Sequence, residues 1–271
     1  MTKQLSKNQQ KLVRDLRKSK KARMKNRCFI VEGLKNVAES IKSNYEVRFV
    51  VISDDFIKSN TGFIKTLSKQ VSSNRLYQVK GNLFNELTDT VTPQGIMAVV
   101  NFKDTNIEDV QKENFLMIAL DRIQDPGNMG TIIRTADAAG ADAIVIGQEC
   151  VDIYNPKVVR SAMGSLFHIP IIQTDDLIKT LIELKGKGGK VVTTHLKAKK
   201  HYYDINYKVC TVIVMGSEDE GVSKEIVQIS DELVKIPMPG SAESLNVAIA
   251  HGIMVFEAVK QRIKPVPSTC K

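Results

Sequence analysis

Three polar segments in the C-terminal half of the chain carry residue types that suit the binding of a small molecule and a polar substrate. We call residues 121–134 the first island, residues 215–223 the second island and residues 236–246 the third island. Each follows an apolar run typical of a strand and borders a run typical of a helix. In open α/β folds, small-molecule sites form at such strand ends. We therefore expect the three islands to form one site.

The first island combines an amide and a guanidinium on one predicted helix. Pro126-Gly127 predicts a tight turn, Asn128 lies at the predicted N-cap, and Arg134 follows six residues later. Both polar side chains could contribute to the expected site. The alternative is structural: Asn128 caps the helix, and Arg134 pairs with Asp137 or Asp121. The spacing alone leaves both interpretations open.

The second island is a glycine-bounded acidic loop. Gly216 directly follows the predicted strand Thr211–Met215, and Gly221 closes the loop. A glycine at a strand end lets the backbone approach a ligand closely. The three acids at 218–220 are accompanied by no histidine and no second carboxylate cluster, so we expect no metal site.

The third island combines prolines with a predicted helix start. Pro237 and Pro239 stiffen an irregular strand exit, and Ser244 is a natural N-cap for a helix that begins at Leu245. The alternative interpretation is a capped helix without chemistry. Elsewhere, the chain has no phosphate-binding P-loop sequence and no Gly-x-Gly-x-x-Gly after a strand, which disfavours nucleotide hydrolases and dinucleotide enzymes.

Taken in order, the three islands resemble the three motifs of the SpoU (TrmH) family of RNA ribose 2′-O-methyltransferases, in the SPOUT superfamily. The resemblance implies that Arg134 engages the target ribose and that Glu218 forms a salt bridge with it. We expect Arg134 to orient the ribose and to stabilise developing alkoxide charge. A role as general base is the second option, because a guanidinium holds its proton in proteins.

The resemblance also implies S-adenosylmethionine as cofactor and a set of site residues. In the catalytic group it places Asn128, Arg134, Glu218, Ser244 and Asn246. In the cofactor-binding group it places Thr193, Thr194, Gly216, Ile236 and Leu245. We expect His195 and His251 to have no chemical role.

The elements that must position these residues alternate between strands and helices, which predicts an α/β fold with a parallel sheet flanked by helices. The resemblance implies a trefoil knot in this SPOUT domain, which no periodicity could reveal. The predicted strands are Phe115–Leu120, Ala143–Ile146, Lys190–Thr193, Thr211–Met215 and Leu233–Ile236. The predicted helices are Met129–Ala139, Asn155–Met163, Asp175–Lys185, Lys224–Ile229 and Leu245–Arg262.

A smaller α/β unit precedes the islands. It resembles the ribosomal-protein-like RNA substrate-binding domain attached to many SpoU enzymes, through Phe29-Ile-Val-Glu-Gly33 and the strand Val47–Ile52. A polar linker without apolar periodicity follows it. We therefore divide the chain into a basic arm at 1–27, a substrate-binding domain at 28–102, a linker at 103–114, a methyltransferase domain at 115–263 and a disordered tail at 264–271.

The net charge of +9 is concentrated at the N-terminus. Residues 1–27 hold eleven of the 39 Lys and Arg residues and one of the 30 acids, so the rest of the chain is close to neutral. Such a block attracts polyanions by releasing their counterions. The alternative is a frayed, solvated terminus. We expect RNA contacts from Arg14, Arg17, Lys18, Lys21, Arg23, Lys25 and Arg27.

The same segment predicts one basic amphipathic helix over residues 5–26. Its apolar residues recur at roughly helical spacing between the basic ones. They are Leu5, Leu12, Val13, Leu16 and Met24.

The sequence thus predicts methyl transfer from S-adenosylmethionine to a ribose 2′-hydroxyl in structured RNA, with ribosomal RNA ahead of transfer RNA. The resemblance implies a homodimer. We expect a cytoplasmic protein without a membrane span, because the chain has no apolar run of 18 residues and no secretory signal. The isolated cysteines exclude a zinc site. The alternatives are a tRNA ribose methyltransferase, a non-catalytic RNA-binding protein on the same scaffold, and a base methyltransferase of another SPOUT branch.

Overall fold

The computed structural model describes residues 3–110 and 112–263, so the predicted tail at 264–271 lies outside the described residues. Two compact units divide the chain. The first joins the residues up to Lys103 with Asp152–His168, and the second joins Asp104–Val151 with the residues from Ile169 onward.

Strands and helices alternate along the N-terminal part of the chain. In chain order they are β1 (Lys3–Gln4), α1 (Lys7–Lys18), α2 (Lys20–Asn26), β2 (Cys28–Glu32), α3 (Leu34–Lys42), β3 (Val47–Ser53), α4 (Asp54–Ser59), α5 (Thr61–Gln70), β4 (Leu76–Val79), α6 (Gly81–Leu87) and β5 (Ile96–Asn101).

The alternation continues to the end of the described chain. The elements are β6 (Leu116–Leu120), α7 (Pro126–Ala138), β7 (Ala143–Ile146), α8 (Pro156–Ser161), β8 (Ile171–Gln173), α9 (Leu177–Gly186), β9 (Lys190–Thr194), β10 (Lys200–His201), β11 (Thr211–Met215), α10 (Lys224–Ile229), β12 (Glu232–Lys235) and α11 (Val247–Arg262). Within the described ranges, no helix is both long and apolar enough to cross a membrane.

The first unit is built on a five-stranded mixed sheet in the order β1-β4-β3-β5-β2. Strand β5 is antiparallel to both β2 and β3, whereas β3 and β4 are parallel. The buried side chains of one face include Ile30, Phe49 and Val99, and Val13 and Leu16 of α1 pack into the same cluster. The basic N-terminal segment is therefore part of a hydrophobic core.

The predicted single helix over residues 5–26 is two helices. Ser19 ends α1 and caps α2, accepting a hydrogen bond from the Ala22 backbone N–H at 3.2 Å. Because of this break, the side chains of α2 do not face the directions predicted for one continuous helix. As a result Met24, predicted on the apolar face, is 50% exposed, while Arg23 is 4% exposed.

Residues 152–168 pack into the first unit through an ion pair and stacked rings. The Arg23 Nε and Nη2 atoms each lie 2.8 Å from Asp152 Oδ2. The Tyr154 ring stacks on Phe102 with centroids 3.9 Å apart and also contacts Phe29 at 4.6 Å. The buried carboxylate compensates the buried guanidinium, as a charge removed from water requires.

The second unit is built on seven parallel strands in the order β10-β12-β9-β11-β6-β7-β8. The predicted parallel α/β fold is confirmed. The five predicted strands are present, with β7 and β11 at their predicted bounds. Two short strands, β8 and β10, were not predicted, because two or three residues are too few for a periodic signal.

Candidate active site

The carboxyl ends of three neighbouring strands enclose a cavity of about 710 Å³. Strands β12, β9 and β11 are adjacent and parallel, so the loops that follow them meet at one edge of the sheet. The second and third islands are two of these loops. Of the ten residues predicted for the site, those that line the cavity are Thr194, Gly216, Glu218, Ile236, Ser244 and Leu245.

The second island folds back on itself so tightly that Gly216 is required. A Cβ atom at this position would lie 2.2 Å from backbone atoms of Gly221 and Val222. Ser217 and Gly221 exchange backbone hydrogen bonds of 3.1 and 3.0 Å, and Gly221 has a φ of +70°. Gly216 was predicted to let the backbone approach a ligand; the close approach seen here is that of the loop's own backbone, and the contact with a ligand stays a prediction.

Two residues of the first island, Asp121 and Arg122, fix this loop, a role that sequence analysis assigned to neither of them. The Asp121 carboxylate accepts a 2.8 Å hydrogen bond from the Ser223 backbone N–H. Arg122 donates to the Gly221 carbonyl at 3.2 Å and forms an ion pair with Glu220. Arg122 itself adopts a left-handed backbone with a φ of 58°. The pairs join residues about a hundred positions apart, which a periodicity argument cannot detect.

The Asn128 side chain is directed at the second island. The predicted N-cap at Asn128 is wrong: Asp125 caps α7 and accepts from the Asn128 backbone N–H at 2.8 Å. Helix α7 therefore begins at Pro126, which suits the first helical turn because proline lacks the N–H. The Asn128 side-chain amide donates to Glu218 Oε1.

Asn246 completes the cluster and begins the last helix. Its Oδ1 atom accepts from the backbone N–H groups of Ala248 and Ile249, at 3.0 and 3.3 Å. Its Nδ2 atom donates to Asn128 Oδ1 at 2.9 Å and to Glu218 Oε1 at 3.0 Å. The predicted cap at Ser244 is therefore wrong, and α11 starts two residues later. One side chain from each island meets in this cluster.

The backbone of Arg134 lies further along α7 than that of Asn128. Six residues separate it from Asn128, which corresponds to about 9 Å along the helix axis and about 120° around it. Its side chain is exposed. Glu218 accepts hydrogen bonds from Asn128 and Asn246, and its predicted salt bridge with Arg134 stays a prediction.

The two threonines at the end of β9 point in opposite directions. Thr194 lines the cavity, whereas Thr193 is fully buried with its hydroxyl 2.7 Å from the Ser230 hydroxyl. Successive side chains of a strand face opposite sides of the sheet, so the two cannot both line one cavity. Thr193 is removed from the cofactor-binding set.

The predicted RNA-binding residues differ in their exposure to solvent. Lys18, Lys21 and Lys25 are exposed, as is Arg27. Arg14 pairs with Glu86 and Arg17 with Asp89 on the surface of the first unit. Arg23 is buried against Asp152. A buried, paired guanidinium cannot reach a phosphate group, so Arg23 leaves the RNA-binding set.

His251 lies in the interior of the second unit, outside the cavity lining. The side chain is fully buried on α11, and neither ring nitrogen has a hydrogen-bond partner among the described residues. Burial disfavours the charged imidazolium and lowers the pKa of His251 to about 4. The ring is therefore neutral at pH 7 and packs inside the second unit, and the expectation that it has no chemical role stays a prediction.

Two family models match the chain in succession. The SpoU rRNA Methylase family matches residues 115–256, and the MRM3-like substrate binding domain matches residues 7–98. The cavity and the Asn128–Glu218–Asn246 cluster lie within the first match.

Relatives and solved structures agree with these matches. The chain is 35% identical to the 23S rRNA (guanosine(2553)-2′-O)-methyltransferase RlmP of Bacillus subtilis (strain 168), over 94% of this chain and 98% of the relative. The AdoMet bound rRNA methyltransferase from Sinorhizobium meliloti is similar with a TM-score of 0.86 and 33% identity, covering 97% of this chain and 98% of that one. The SpoU methyltransferase AviRb from Streptomyces viridochromogenes, in complex with AdoMet, gives a TM-score of 0.85 and 27% identity, over 95% and 98%.

Fold, cavity and matches together define an S-adenosylmethionine-dependent RNA methyltransferase of the SPOUT class. The chain belongs to the SpoU rRNA methylase family.

Proposed function

We propose that the protein transfers a methyl group from S-adenosylmethionine to a ribose 2′-hydroxyl of ribosomal RNA. One observation carries the proposal: side chains from all three islands meet at Glu218, on the wall of a cavity large enough for the cofactor. Relatives that are named as 23S rRNA methyltransferases support ribosomal RNA as the substrate class.

The cavity suits S-adenosylmethionine in its chemistry. Ile236, Leu245 and Val222 provide apolar surface for the adenine, and the Thr194 hydroxyl provides a polar contact. The acidic second island, with Glu218 at its centre, favours a ligand that carries a sulfonium and an ammonium group. The bound cofactor supplies an electrophilic methyl group.

The chain's own residues position the acceptor. We assign Arg134 to orient the ribose and to stabilise developing negative charge on the 2′-oxygen, with general base as the second option. Glu218 accepts from both amides and so fixes their rotation. Asn128, Asn246 and Ser244 then form the polar wall that the ribose and the methionine end of the cofactor contact.

The first unit supplies the contact to RNA structure. Its match to a substrate-binding domain supports this assignment, and the exposed Lys18, Lys21 and Lys25 provide positive charge on α1 and α2. Such contacts hold phosphates whatever the base sequence. They position the RNA, while the second unit carries out the chemistry.

We also propose a cytoplasmic homodimer with the trefoil knot that the resemblance implies. Ile249 and Phe256 support an interface on α11, because they are 56% and 48% exposed and seven residues apart, on one face of the helix. In a homodimer, contact with the second copy would remove this apolar face from water.

Substrates that lack one 2′-hydroxyl test the reaction. After the methylated nucleotide of an unmodified 23S rRNA transcript has been mapped, a substrate with deoxyribose at that nucleotide should accept no methyl group at that position. Full transfer to the deoxy substrate would overturn the reaction, and transfer to a tRNA transcript alone would overturn the substrate class.

A further inference from the structure

A lysine-rich loop with one exposed tyrosine, Tyr203, borders the cavity. We call residues 195–204 the Lys–Tyr loop. Lysines occupy three of the four positions from 197 to 200, and His201, Tyr202 and Tyr203 follow directly. None of these residues is used by the proposed reaction.

The loop forms part of the cavity wall. His195, Leu196, Lys197 and His201 line the cavity together with the second and third islands. Strand β10, inside the loop, pairs with β12 at the edge of the sheet and fixes its position. Any substrate that brings its ribose to the cavity therefore passes close to this loop.

The aromatic side chains of the loop brace one another. The His201 and Tyr203 ring centroids are 5.2 Å apart at an interplanar angle of 32°, and the Tyr202 ring meets Tyr203 edge-on at 5.1 Å. Tyr203 nonetheless remains 49% exposed. A ring held in place but open to solvent suits stacking with a nucleobase, since every base has a π-face.

The charges of the loop favour an anionic ligand. Lys200 is paired with Glu232 at 2.6 Å, but Lys197 and Lys199 are exposed and form no ion pair within the described part of the chain. S-adenosylmethionine carries one carboxylate but a net positive charge, so as a whole it gains no net attraction from two lysines. Phosphate groups of RNA do, because their neutralisation releases counterions.

We propose that the Lys–Tyr loop binds the substrate RNA beside the reacting nucleotide, an inference that rests on the proposed function. Tyr203 stacks on a neighbouring unpaired base, and Lys197 and Lys199 contact the flanking phosphates. The catalytic unit thus holds the single-stranded part of the substrate itself, in addition to the contacts of the first unit.

Two pairs of variants test the inference with a fluorescein-labelled RNA hairpin that carries a single-stranded extension, and with an unmodified 23S rRNA transcript. We expect Tyr203→Ala to raise the RNA Kd and the KM for the transcript by about tenfold, and Tyr203→Phe to stay within about twofold of wild type. Lys197→Ala/Lys199→Ala should reduce the slope of log affinity against log salt by about 1.4.

The matched control is Lys187→Ala/Lys208→Ala, which removes the same charge from exposed positions of the same unit outside the cavity lining. It should leave the RNA Kd unchanged, and the Kd for S-adenosylmethionine should stay unchanged in all variants. An unchanged RNA Kd in Tyr203→Ala, or a loss confined to cofactor binding, overturns the inference. If the proposed function fails, the wild-type protein will form no 2′-O-methylnucleoside. The RNA Kd values of wild type and variants would still test the inference in that case.

Discussion

At the scale of single residues, the site depends on Glu218 as a shared acceptor. Its Oε1 atom accepts hydrogen bonds from the side-chain amides of Asn128 and Asn246, which belong to islands more than a hundred residues apart. Asn246 has a second task, because its Oδ1 atom caps α11. The two tasks use different atoms, so substitution can separate them.

The variant Asn246→Ser should keep the cap and lose the amide. Serine caps helices about as well as asparagine, so the free energy of unfolding should change little, whereas kcat should fall at least about tenfold. Asn246→Ala should also lose about 1 kcal/mol of stability. Denaturant melts and steady-state kinetics on both variants give the comparison. Wild-type kcat in Asn246→Ser would show that the amide contacts have no catalytic role.

Arg134 should tolerate no replacement by another cation. Lysine keeps the charge but lacks the planar fork that can hold a ribose oxygen in two hydrogen bonds. We expect Arg134→Lys to lose about a hundredfold in single-turnover rate while the Kd for S-adenosylmethionine stays unchanged. Near-full activity of Arg134→Lys would refute both roles assigned to this residue.

The resemblance named three residues that the structure brings together, Asn128, Glu218 and Asn246, but it did not predict the hydrogen bonds between them. The predicted salt bridge of Glu218 with Arg134 stays a prediction. Both predicted helix caps, at Asn128 and Ser244, were wrong, since capping depends on where the first helical turn closes. Thr193 was assigned to the cavity although strand alternation directs it away.

At the scale of elements, the tightest constraint is the closure of the second island. Gly216→Ala places a methyl group against the backbone of Gly221 and Val222, which cannot move away as a flexible side chain can. We expect it to open the loop and to weaken S-adenosylmethionine binding by more than about tenfold, measured by calorimetry.

Gly240→Ala in the third island is the matched control. A Cβ atom there meets nothing within 4 Å, so this variant should bind the cofactor like wild type. Equal affinities of the Gly216→Ala and Gly240→Ala variants would show that the closed loop does not shape the cofactor pocket.

Helix α1 contributes both to the hydrophobic core and to the exposed basic surface, and substitutions can distinguish the two contributions. Leu16→Ala removes a fully buried side chain and should cost about 2–5 kcal/mol of stability, measured by denaturant unfolding. Lys18→Glu/Lys21→Glu/Lys25→Glu changes exposed side chains of α1 and α2, so it should leave the unfolding midpoint nearly unchanged and weaken RNA binding in filter assays. RNA affinity equal to wild type in the triple variant would contradict the assignment of these helices.

Elements with strong periodicity were predicted well, and short or interrupted ones were not. Strands β7 and β11 have their predicted bounds because each is a continuous Val- and Ile-rich run. The break at Ser19 was missed because basic residues with long apolar stems continue the helical pattern on both sides. Strand β10 depends on its pairing with β12 and has no sequence pattern of its own.

At the scale of the whole molecule, two ionisable side chains lie in the interior, where a charged group is costly. The ring nitrogens of the buried His251 have no hydrogen-bond partner within residues 3–110 and 112–263, whereas Arg23 is buried with Asp152, 129 positions away in the sequence. The helical spacing of His251 with the buried Val247 and Met254 places it on the apolar face of α11, whereas the partner of Arg23 is too distant in sequence for a local pattern to indicate. Periodicity also could not predict that residues 152–168 pack in the first unit, because this packing depends on contacts between segments distant in sequence.

The buried histidine predicts a specific acid sensitivity. Because the folded-state pKa of about 4 lies below the ordinary value of about 6.5, the unfolded chain binds the proton more tightly. Stability is therefore complete above pH 6.5 and is lost as the pH falls towards 4, by about 2 kcal/mol at pH 5. His251→Leu should remove this loss in urea melts at pH 8 and pH 5. An unchanged difference between the two pH values would show that another group causes it.

The central claim is that the methyl group reaches a ribose oxygen, and the position of the label on the product tests it most directly. Purified protein would be incubated with methyl-labelled S-adenosylmethionine and an unmodified 23S rRNA transcript, and the RNA hydrolysed with alkali. A 2′-O-methyl group blocks cleavage at its own phosphate, so we predict label in an alkali-resistant dinucleotide. Label in mononucleotides, which would place the methyl group on a base, would contradict the proposal.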